Sequence, residues 1–151
     1  MKVDYEQQEF VIGAVLANDD IMLEAYESGD PYLSLGKRSG FIPQDADKSH
    51  PLRGVFKTVC LMVQYGAGTE SMSEGYSEAT LKNWIFQATG CEILRRAMRK
   101  VQDAGFGIIG LMHDELIVEH PLITVDPEGS KEIVQAAMEE ASKEIIGWRI
   151  K

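Results

Sequence analysis

Apolar residues recur along this chain of 151 residues with two periods, which divide it into helical and extended segments. Steps of three and four residues are typical of amphipathic helices, whereas short apolar runs bounded by turn residues are typical of strands. Helices are predicted over residues 6–16, 20–28 (capped by Asp20), from Asp30-Pro31 onward, 49 or 50 to 65, 77–104, and from Asp126-Pro127 onward. Strands are predicted over residues 1–4, 105–112 and 116–120, the last two forming a β-hairpin that turns at His113-Asp114-Glu115. Helices with a small antiparallel sheet indicate an α+β fold.

The helix predicted to end near residue 65 carries two different stripes. Its apolar side consists of Leu52, Val55, Phe56, Val59, Met62 and Val63. Arg53, Lys57, Leu61 and Tyr65 recur every four residues and therefore follow one side of the helix. Two like charges at that spacing destabilise an isolated helix slightly, so the Arg and Lys suggest an anion such as a triphosphate. An exposed polar face is the alternative interpretation. A Gly/Ser-rich connection, residues 66–75, follows this helix.

The segment LMHDELIVE, residues 111–119, places two adjacent carboxylates between apolar runs. Asp114 and Glu115 repel each other and resist burial, so a turn would let them project from the edge of the sheet. Asp4 ends the other predicted strand, and pairing of that strand beside the hairpin would bring Asp4 to Asp114. Clustered carboxylates suit Mg²⁺ or Mn²⁺ rather than zinc. Acid pairs in turns are also commonly just solvated.

The net charge of −9 argues against a free-standing nucleic-acid binder, but the charge is unevenly distributed. Residues 37–100 contain ten Lys or Arg against six acids, so this middle is +4 and the two ends together are −13. A basic middle with acidic ends fits a polyanion surface next to a cation site, and it equally fits a solvated helix face.

The length predicts one domain with a sizeable core. No apolar run approaches the ~20 residues of a membrane span, and the N-terminus lacks an apolar signal region. Cys60 and Cys91 lack metal-ligand spacing and are predicted to be reduced core thiols. Together these features predict a cytoplasmic protein without membrane partners.

Four segments, in order, resemble the motifs of family A DNA polymerases. DYEQQEF, residues 4–10, resembles motif A, which typically reads DYSQIEL. RGVFKTVCLMVQYG, residues 53–66, resembles motif B, with Arg, Lys, an aromatic residue and Tyr-Gly at four-residue steps. NWIFQATGCEILRRAM, from Asn83, is similar to the NxPxQGTAADIxKxAM helix, and LMHDELIVE is close to the VHDEL of motif C. Four ordered motifs are far more specific than any one alone.

The resemblance implies transfer of deoxynucleotides to a primer 3′-hydroxyl by a two-metal mechanism, with primer-template DNA and a dNTP as partners. Asp4 and Asp114 would hold two Mg²⁺ ions, for which Mn²⁺ can substitute. Glu115 would assist nearby, and His113 would contact the primer strand.

The other motif positions would bind the nucleotide and the duplex. Arg53 and Lys57 would bind the triphosphate, and Lys57 would also offset charge on the leaving group. Leu61 would lie against the nucleotide. Glu9 would be the steric gate that excludes ribonucleotides, and Tyr65 would hold its side chain. Asn83 and Gln87 would contact the duplex near the primer end.

Several positions depart from the family pattern. Leu61 stands where Phe or Tyr is usual, and Val11 replaces an Arg that contacts the minor groove. Further departures are Gln8 for Ile, Ala88 and Gly90 within the QGTAAD segment, and Ala79 for Arg.

The spacing also departs from the family. Only three residues precede Asp4, the thumb expected before motif A is missing, and 17 residues separate Tyr65 from Asn83 where a longer part of the fingers is usual. The expectation is one palm domain, residues 1–151, with a palm-type sheet, a hairpin packed against several helices, trimmed fingers at about 40–80 and no thumb. Such a fragment would be weak or inactive alone, and a second chain could supply a thumb or complete the sheet.

Two other functions compete with the polymerase interpretation. The chain could be a non-catalytic remnant that keeps the palm fold as an interaction or structural module. A metal-dependent hydrolase using His113, Asp114 and His120 is disfavoured, because the two histidines would face opposite sides of a regular strand.

Overall fold

The structure, a computed structural model, describes residues 1–64 and 78–151, and the side chains of residues 1–64 and 85–151. Within this part of the chain there are seven helices and three antiparallel strands, which confirms the predicted α+β class. The elements are β1 (Lys2–Asp4), α1 (Gln8–Ala17), α2 (Asp20–Glu27), α3 (Pro31–Arg38), α4 (Leu52–Gln64), α5 (Glu78–Asp103), β2 (Gly107–Met112), β3 (Glu115–Glu119), α6 (Leu122–Val125) and α7 (Pro127–Ile146).

The chain divides into two compact units. The first combines residues 1–12 with 86–151 and contains the sheet, and the second comprises residues 13–85. The predicted fingers part, residues 40–80, falls within the second unit. The predicted connection at 66–75, the helix start at Ser77 and the site residue Tyr65 lie outside the described residues.

The sheet of the first unit has the strand order β1-β3-β2, so β3 is central. Val3 pairs with Leu116 in register, and the side chains of Val3, Leu116 and Val118 are buried on one face. On the same two strands Asp4 pairs with Glu115, and both of these side chains point to the other face. The condition for bringing Asp4 to Asp114, pairing of the N-terminal strand beside the hairpin, is therefore met.

The hairpin turns through two residues rather than three. Met112 pairs with Glu115, so the loop consists of His113 and Asp114, and Glu115 is already the first residue of β3. The prediction that Glu115 lies in the turn is therefore wrong by one residue. In β2 the register shifts between Ile108 and Gly110, which leaves Ile109 as the extra, exposed residue of a bulge.

Aspartates begin three of the helices, but one cap is shifted from its predicted position. Asp30 accepts a hydrogen bond from the Leu33 N–H at 2.9 Å, and Asp126 accepts one from Gly129 at 3.0 Å, as the Asp-Pro pairs predict. The cap of α2 is Asp19 and not Asp20, because Asp19 has the extended backbone that a cap needs while Asp20 is already helical. The short α6 was not predicted.

The core of the first unit lies between the sheet and helices α5 and α7. Tyr5, directly after β1, is 2% exposed, and its hydroxyl donates a hydrogen bond to the Met138 carbonyl at 2.5 Å. Burial, with a smaller contribution from the Glu139 charge, raises the pKa of Tyr5, so the hydroxyl stays protonated. The other buried apolar residues include Ile93, Ala97, Val101, Phe106, Val134, Met138, Ala141 and Ile150.

Replacing Tyr5 with phenylalanine is expected to lower the free energy of unfolding by about 1 kcal/mol, because one buried hydrogen bond is lost while the ring remains. Urea denaturation at neutral pH measures the change. An unchanged midpoint would mean that the Tyr5 hydroxyl does not anchor β1 to α7.

In the second unit, α4 packs against α3 through Phe56. Its ring lies 3.2 Å from where a Cβ on Gly36 would be, and 6.3 Å from the ring of Phe41. The predicted apolar side of α4 is not buried as a whole. Leu52, Val55, Val59, Met62 and Val63 form a stripe that is 38–69% exposed, which we call the α4 stripe. It is exposed because α4 uses a neighbouring face for its contact with α3.

The two cysteines differ from the predicted core thiols. Both are free, but Cys91 is exposed on α5 and Cys60 is only half-buried on α4. The prediction of a core position is wrong for Cys91, whose sulfur lies 3.6 Å from Nη2 of the exposed Arg95. Among the described helices, none combines the length and the apolar character that a membrane crossing needs.

Candidate functional site

The first unit brings together the three acids that the motifs single out. Asp4, the last residue of β1, pairs directly with Glu115, and the Tyr5 N–H donates a hydrogen bond to the Asp114 carbonyl at 3.3 Å. Residues 110 positions apart in the sequence thus meet at one end of the sheet. We call Asp4, Asp114 and Glu115 the carboxylate cluster.

The carboxylate cluster is only partly neutralised by the protein. The Lys2 ammonium lies 3.0 Å from Glu115 Oε1 and donates to Oε2 at 3.3 Å, and the Glu115 side chain is 18% exposed. Partial burial raises the pKa of Asp4, and the charges of Asp114, Glu115 and Glu6 raise it further, while Lys2 lowers it. In the described part of the chain, neither Asp4 nor Asp114 forms an ion pair of its own. A bound cation would therefore relieve repulsion at these two residues.

The donor set fits magnesium held mainly by water and substrate. No group of three or more His, Cys, Asp or Glu is arranged to hold a metal ion within the described residues. Mg²⁺ sites in nucleotide enzymes commonly use one or two carboxylates, and waters and phosphate oxygens fill the remaining positions. Asp4 and Asp114 supply two such carboxylates, whereas the carboxylate of Glu115 forms an ion pair with the Lys2 ammonium.

Replacing Asp4 with asparagine is expected to stabilise the metal-free protein at pH 7 by about 0.5 kcal/mol, because it removes a like charge opposite Glu115. The native state raises the pKa of Asp4, so it binds the proton more tightly than the unfolded state. The contribution of Asp4 to stability therefore falls as pH rises from the usual aspartate value of 3.8 through its raised value in the folded protein.

The advantage of the Asp4→Asn variant should accordingly disappear as the pH is lowered through that region. Thermal unfolding at several pH values measures it, and Asp45→Asn in an exposed loop is the matched control, for which we expect no change. A destabilised Asp4→Asn variant at pH 7 would mean that Asp4 has a favourable partner in the folded protein.

The backbone beside the carboxylate cluster adopts a conformation that is unusual for residues other than glycine. Gln7 and His113 both have φ of 56°. Gln7 follows Asp4 by three residues, and His113 directly precedes Asp114. Such positions cost free energy and tend to occur at functional sites. The exposed His113 is the first residue of the hairpin loop, beside Asp114, where the resemblance expects a primer contact.

Two further predicted site residues meet in the first unit. The Gln87 amide on α5 donates a hydrogen bond to Glu9 Oε1, in the first turn of α1, at 2.7 Å. Gln87, the predicted duplex contact, therefore holds the predicted steric gate, a role that the resemblance gives to Tyr65. Asn83 lies one turn earlier on α5, and its side chain is outside the described part.

Two of the departures from the family pattern contact each other. Gln8 is 7% exposed, and its Oε1 lies 2.6 Å from where a Cβ on Gly90 would be. The absence of a side chain at Gly90 thus makes room for the polar Gln8 between α1 and α5. Val11 is fully buried, so this position is part of the core.

In the second unit, α4 carries the predicted triphosphate-binding residues. Arg53 Nε donates to Asp30 Oδ2 at 2.6 Å, and the guanidinium lies 5.8 Å from the centre of the Tyr32 ring. Lys57, one turn later, is exposed, and Leu61 is half-buried. Arg53, Lys57 and Leu61 belong to a single helix, as predicted, whereas Tyr65 lies outside the described residues.

The two histidines of the hydrolase interpretation, His113 and His120, lie beyond opposite ends of β3. The His120 ring lies 4.9 Å from the Phe106 ring, and its Nδ1 accepts a hydrogen bond from the Leu122 N–H at 3.0 Å. His120 therefore accepts the backbone N–H of the first residue of α6, while His113 lies beyond the other end of β3.

Sequence reasoning missed the partners that hold these side chains. Asp30 was recognised only as a helix cap, and nothing in the sequence pairs it with Arg53, 23 positions away. Gln7, whose backbone has a positive φ three residues after Asp4, could have been identified as a candidate site residue, because it matches the Gln of the motif A pattern.

No protein-family model matches this chain, and no curated protein sequence matches it significantly. The family assignment therefore stays a prediction, supported by the four motifs and by the geometry of the carboxylate cluster.

Proposed function

We propose that this chain is the palm and trimmed fingers of a family A-type DNA polymerase, which transfers deoxynucleotides to a primer 3′-hydroxyl under the direction of a template. The observation that carries the proposal is the pairing of β1 with β3, which puts Asp4 beside Asp114. Strand pairing is independent of the motif comparison, yet it joins the two acids that motifs A and C single out.

In this proposal Asp4 and Asp114 would hold two Mg²⁺ ions, which would supply Lewis-acid activation of the primer hydroxyl and stabilisation of charge on the phosphates. Partial burial raises the pKa of Asp4, and repulsion from Asp114 and Glu115 raises it further, so a cation bound beside these carboxylates would be favoured. Glu115, paired with Lys2, contributes negative potential rather than a ligand.

Arg53 and Lys57 bind the triphosphate from α4, Arg53 through its planar fork and Lys57 as a point charge. Glu9 excludes a ribonucleotide 2′-hydroxyl, and its hydrogen bond with Gln87 fixes its side chain. The primer-template is contacted by His113, Asn83 and Gln87. The proposed location of the protein is the cytoplasm.

The test is incorporation of a single nucleotide into a labelled primer-template at low salt, first with Mg²⁺ and then with Mn²⁺. Low salt preserves the phosphate contacts on which duplex affinity depends. We expect weak incorporation of a single nucleotide, without processive synthesis, which follows the template base and requires Asp114. Incorporation that does not follow the template base, or that persists in Asp114→Ala, would contradict the proposal.

A second candidate function is supported by the α4 stripe. Its five exposed apolar side chains suit a partner-binding surface, which favours a palm-fold interaction module without catalysis. This function predicts no metal-dependent incorporation, together with self-association in sedimentation experiments that Val59→Asp abolishes. Monomeric behaviour with template-directed incorporation would exclude it.

A further inference from the structure

Asp30 holds Arg53 by one edge of its guanidinium. One carboxylate oxygen of Asp30 accepts the Leu33 N–H and so caps α3, and the other accepts the Arg53 Nε–H at 2.6 Å. The Asp30 side chain is only 5% exposed, so its position is fixed by burial as well as by the cap. Tyr32, two residues later, places its ring 5.8 Å from the guanidinium carbon.

The opposite edge of the guanidinium is available. Arginine has five N–H donors, and Asp30 uses only the one on Nε. Within the described chain, no protein acceptor is bound to the four donors on Nη1 and Nη2. The Arg53 side chain is 29% exposed, which lets an anion reach these donors. Two parallel N–H groups on one edge are the arrangement that grips a phosphate with two hydrogen bonds.

We propose that Asp30 is a positioning residue for nucleoside triphosphate binding, which acts by fixing the guanidinium of Arg53 with its Nη edge presented to a phosphate. This inference rests on the proposed function and adds to it a buried residue outside the resembled motifs. Removing a group that orients a metal ligand commonly weakens metal binding about 10–100-fold, and we expect a loss near the lower end of that range for a carboxylate that orients an arginine.

The geometry disfavours the alternative that Asp30 competes with phosphate for Arg53. If Asp30 competed with phosphate for Arg53, its removal would strengthen nucleotide binding. Competition would require the carboxylate to occupy the fork, whereas it contacts the Nε edge and is itself held by the cap. Positioning therefore predicts a loss of affinity, and competition predicts a gain.

The test is equilibrium binding of a fluorescent deoxynucleoside triphosphate with Mg²⁺ to the whole chain. The variant is Asp30→Asn, which keeps an oxygen for the Leu33 N–H but turns the acceptor for Arg53 into an amide. It is combined with Arg53→Lys, which keeps the charge and loses the fork, and separately with Lys57→Ala, which leaves the Asp30–Arg53 pair intact.

We expect Asp30→Asn to weaken binding about tenfold. In the Arg53→Lys background it should have no further effect, whereas in the Lys57→Ala background the tenfold loss should persist. Unchanged or tighter binding by Asp30→Asn, or an equal loss of affinity in both backgrounds, would overturn the inference. The proposed function would still be supported as long as the wild-type protein binds the nucleotide. Absence of Arg53-dependent binding in the wild type would instead refute the proposed function.

If Asp30→Asn does not fold, as judged by circular dichroism, Arg53→Lys alone decides. It removes the Nε–H anchor from the other side, and we expect about tenfold weaker binding. Wild-type affinity in Arg53→Lys would overturn the inference, since charge alone would then suffice.

Discussion

Replacing Leu116 with alanine is expected to lower the free energy of unfolding by about 2–5 kcal/mol. Leu116 is completely buried on the central strand β3, where it pairs with Val3 on one side and Leu111 on the other. The substitution removes apolar contacts and leaves a cavity below the end of the sheet that carries the carboxylate cluster. Urea denaturation monitored by circular dichroism measures the loss.

Ile117→Ala is the matched control, because Ile117 is the next residue of β3 and points to the opposite, partly exposed face. Its loss should be clearly smaller than that of Leu116. A shift of the strand by one residue would exchange the two faces. A larger loss for Ile117→Ala would therefore contradict the register that brings Asp4 opposite Glu115.

The second large effect concerns catalysis. We expect Asp114→Ala to reduce template-directed nucleotide incorporation about 1,000-fold, because metal ions contribute several kcal/mol to stabilising charge in the transition state and each 1.4 kcal/mol corresponds to a factor of ten. The folded structure should survive, since Asp114 lies in a hairpin loop and its backbone carbonyl, not its side chain, pairs with Tyr5.

Glu119→Gln is the control for general loss of negative charge, because Glu119 is an exposed acid at the far end of β3. We expect near wild-type incorporation from it, and an intermediate loss from Glu115→Gln, whose carboxylate is paired with Lys2. Equal losses in Asp114→Ala and Glu119→Gln would mean that the cluster has no specific role.

Much of the fold follows from local patterns in the sequence. The Asp-Pro pairs mark the starts of α3 and α7 because an aspartate can accept the N–H of the first turn while proline suits its first position. Gly105, with φ of 93°, ends α5 as expected, because a residue with a side chain rarely adopts that conformation. Apolar runs identify β2 and β3 for the same local reason.

Tertiary contacts decide what the sequence could not. The apolar side of α4 looks like a core face, but contact through Phe56 leaves the α4 stripe exposed. Periodicity identifies a face and does not say whether another element covers it. Similarly, the pairings of Arg53 with Asp30 and of Glu9 with Gln87 join segments far apart in sequence, so no spacing rule indicates them.

The carboxylate cluster could be predicted from the sequence only in part. Residue type and turn position suggested Asp114, and the β1–β3 pairing was predicted only as a condition for bringing Asp4 beside it. The register Asp4 to Glu115 fulfils that condition. Lys2 was not foreseen as the partner of Glu115, because the pairing depends on which strand faces lie together.

The most direct test of cation binding at Asp4 and Asp114 is a titration with Mn²⁺ followed by amide NMR, because this paramagnetic ion broadens signals near its binding site. We expect the amides of Tyr5 and Glu115 to broaden first, since they adjoin Asp4 and Asp114, and Asp114→Asn to remove the effect. Broadening centred on other acidic segments, such as Glu139-Glu140 of α7, or broadening that Asp114→Asn leaves unchanged, would contradict cation binding at this pair.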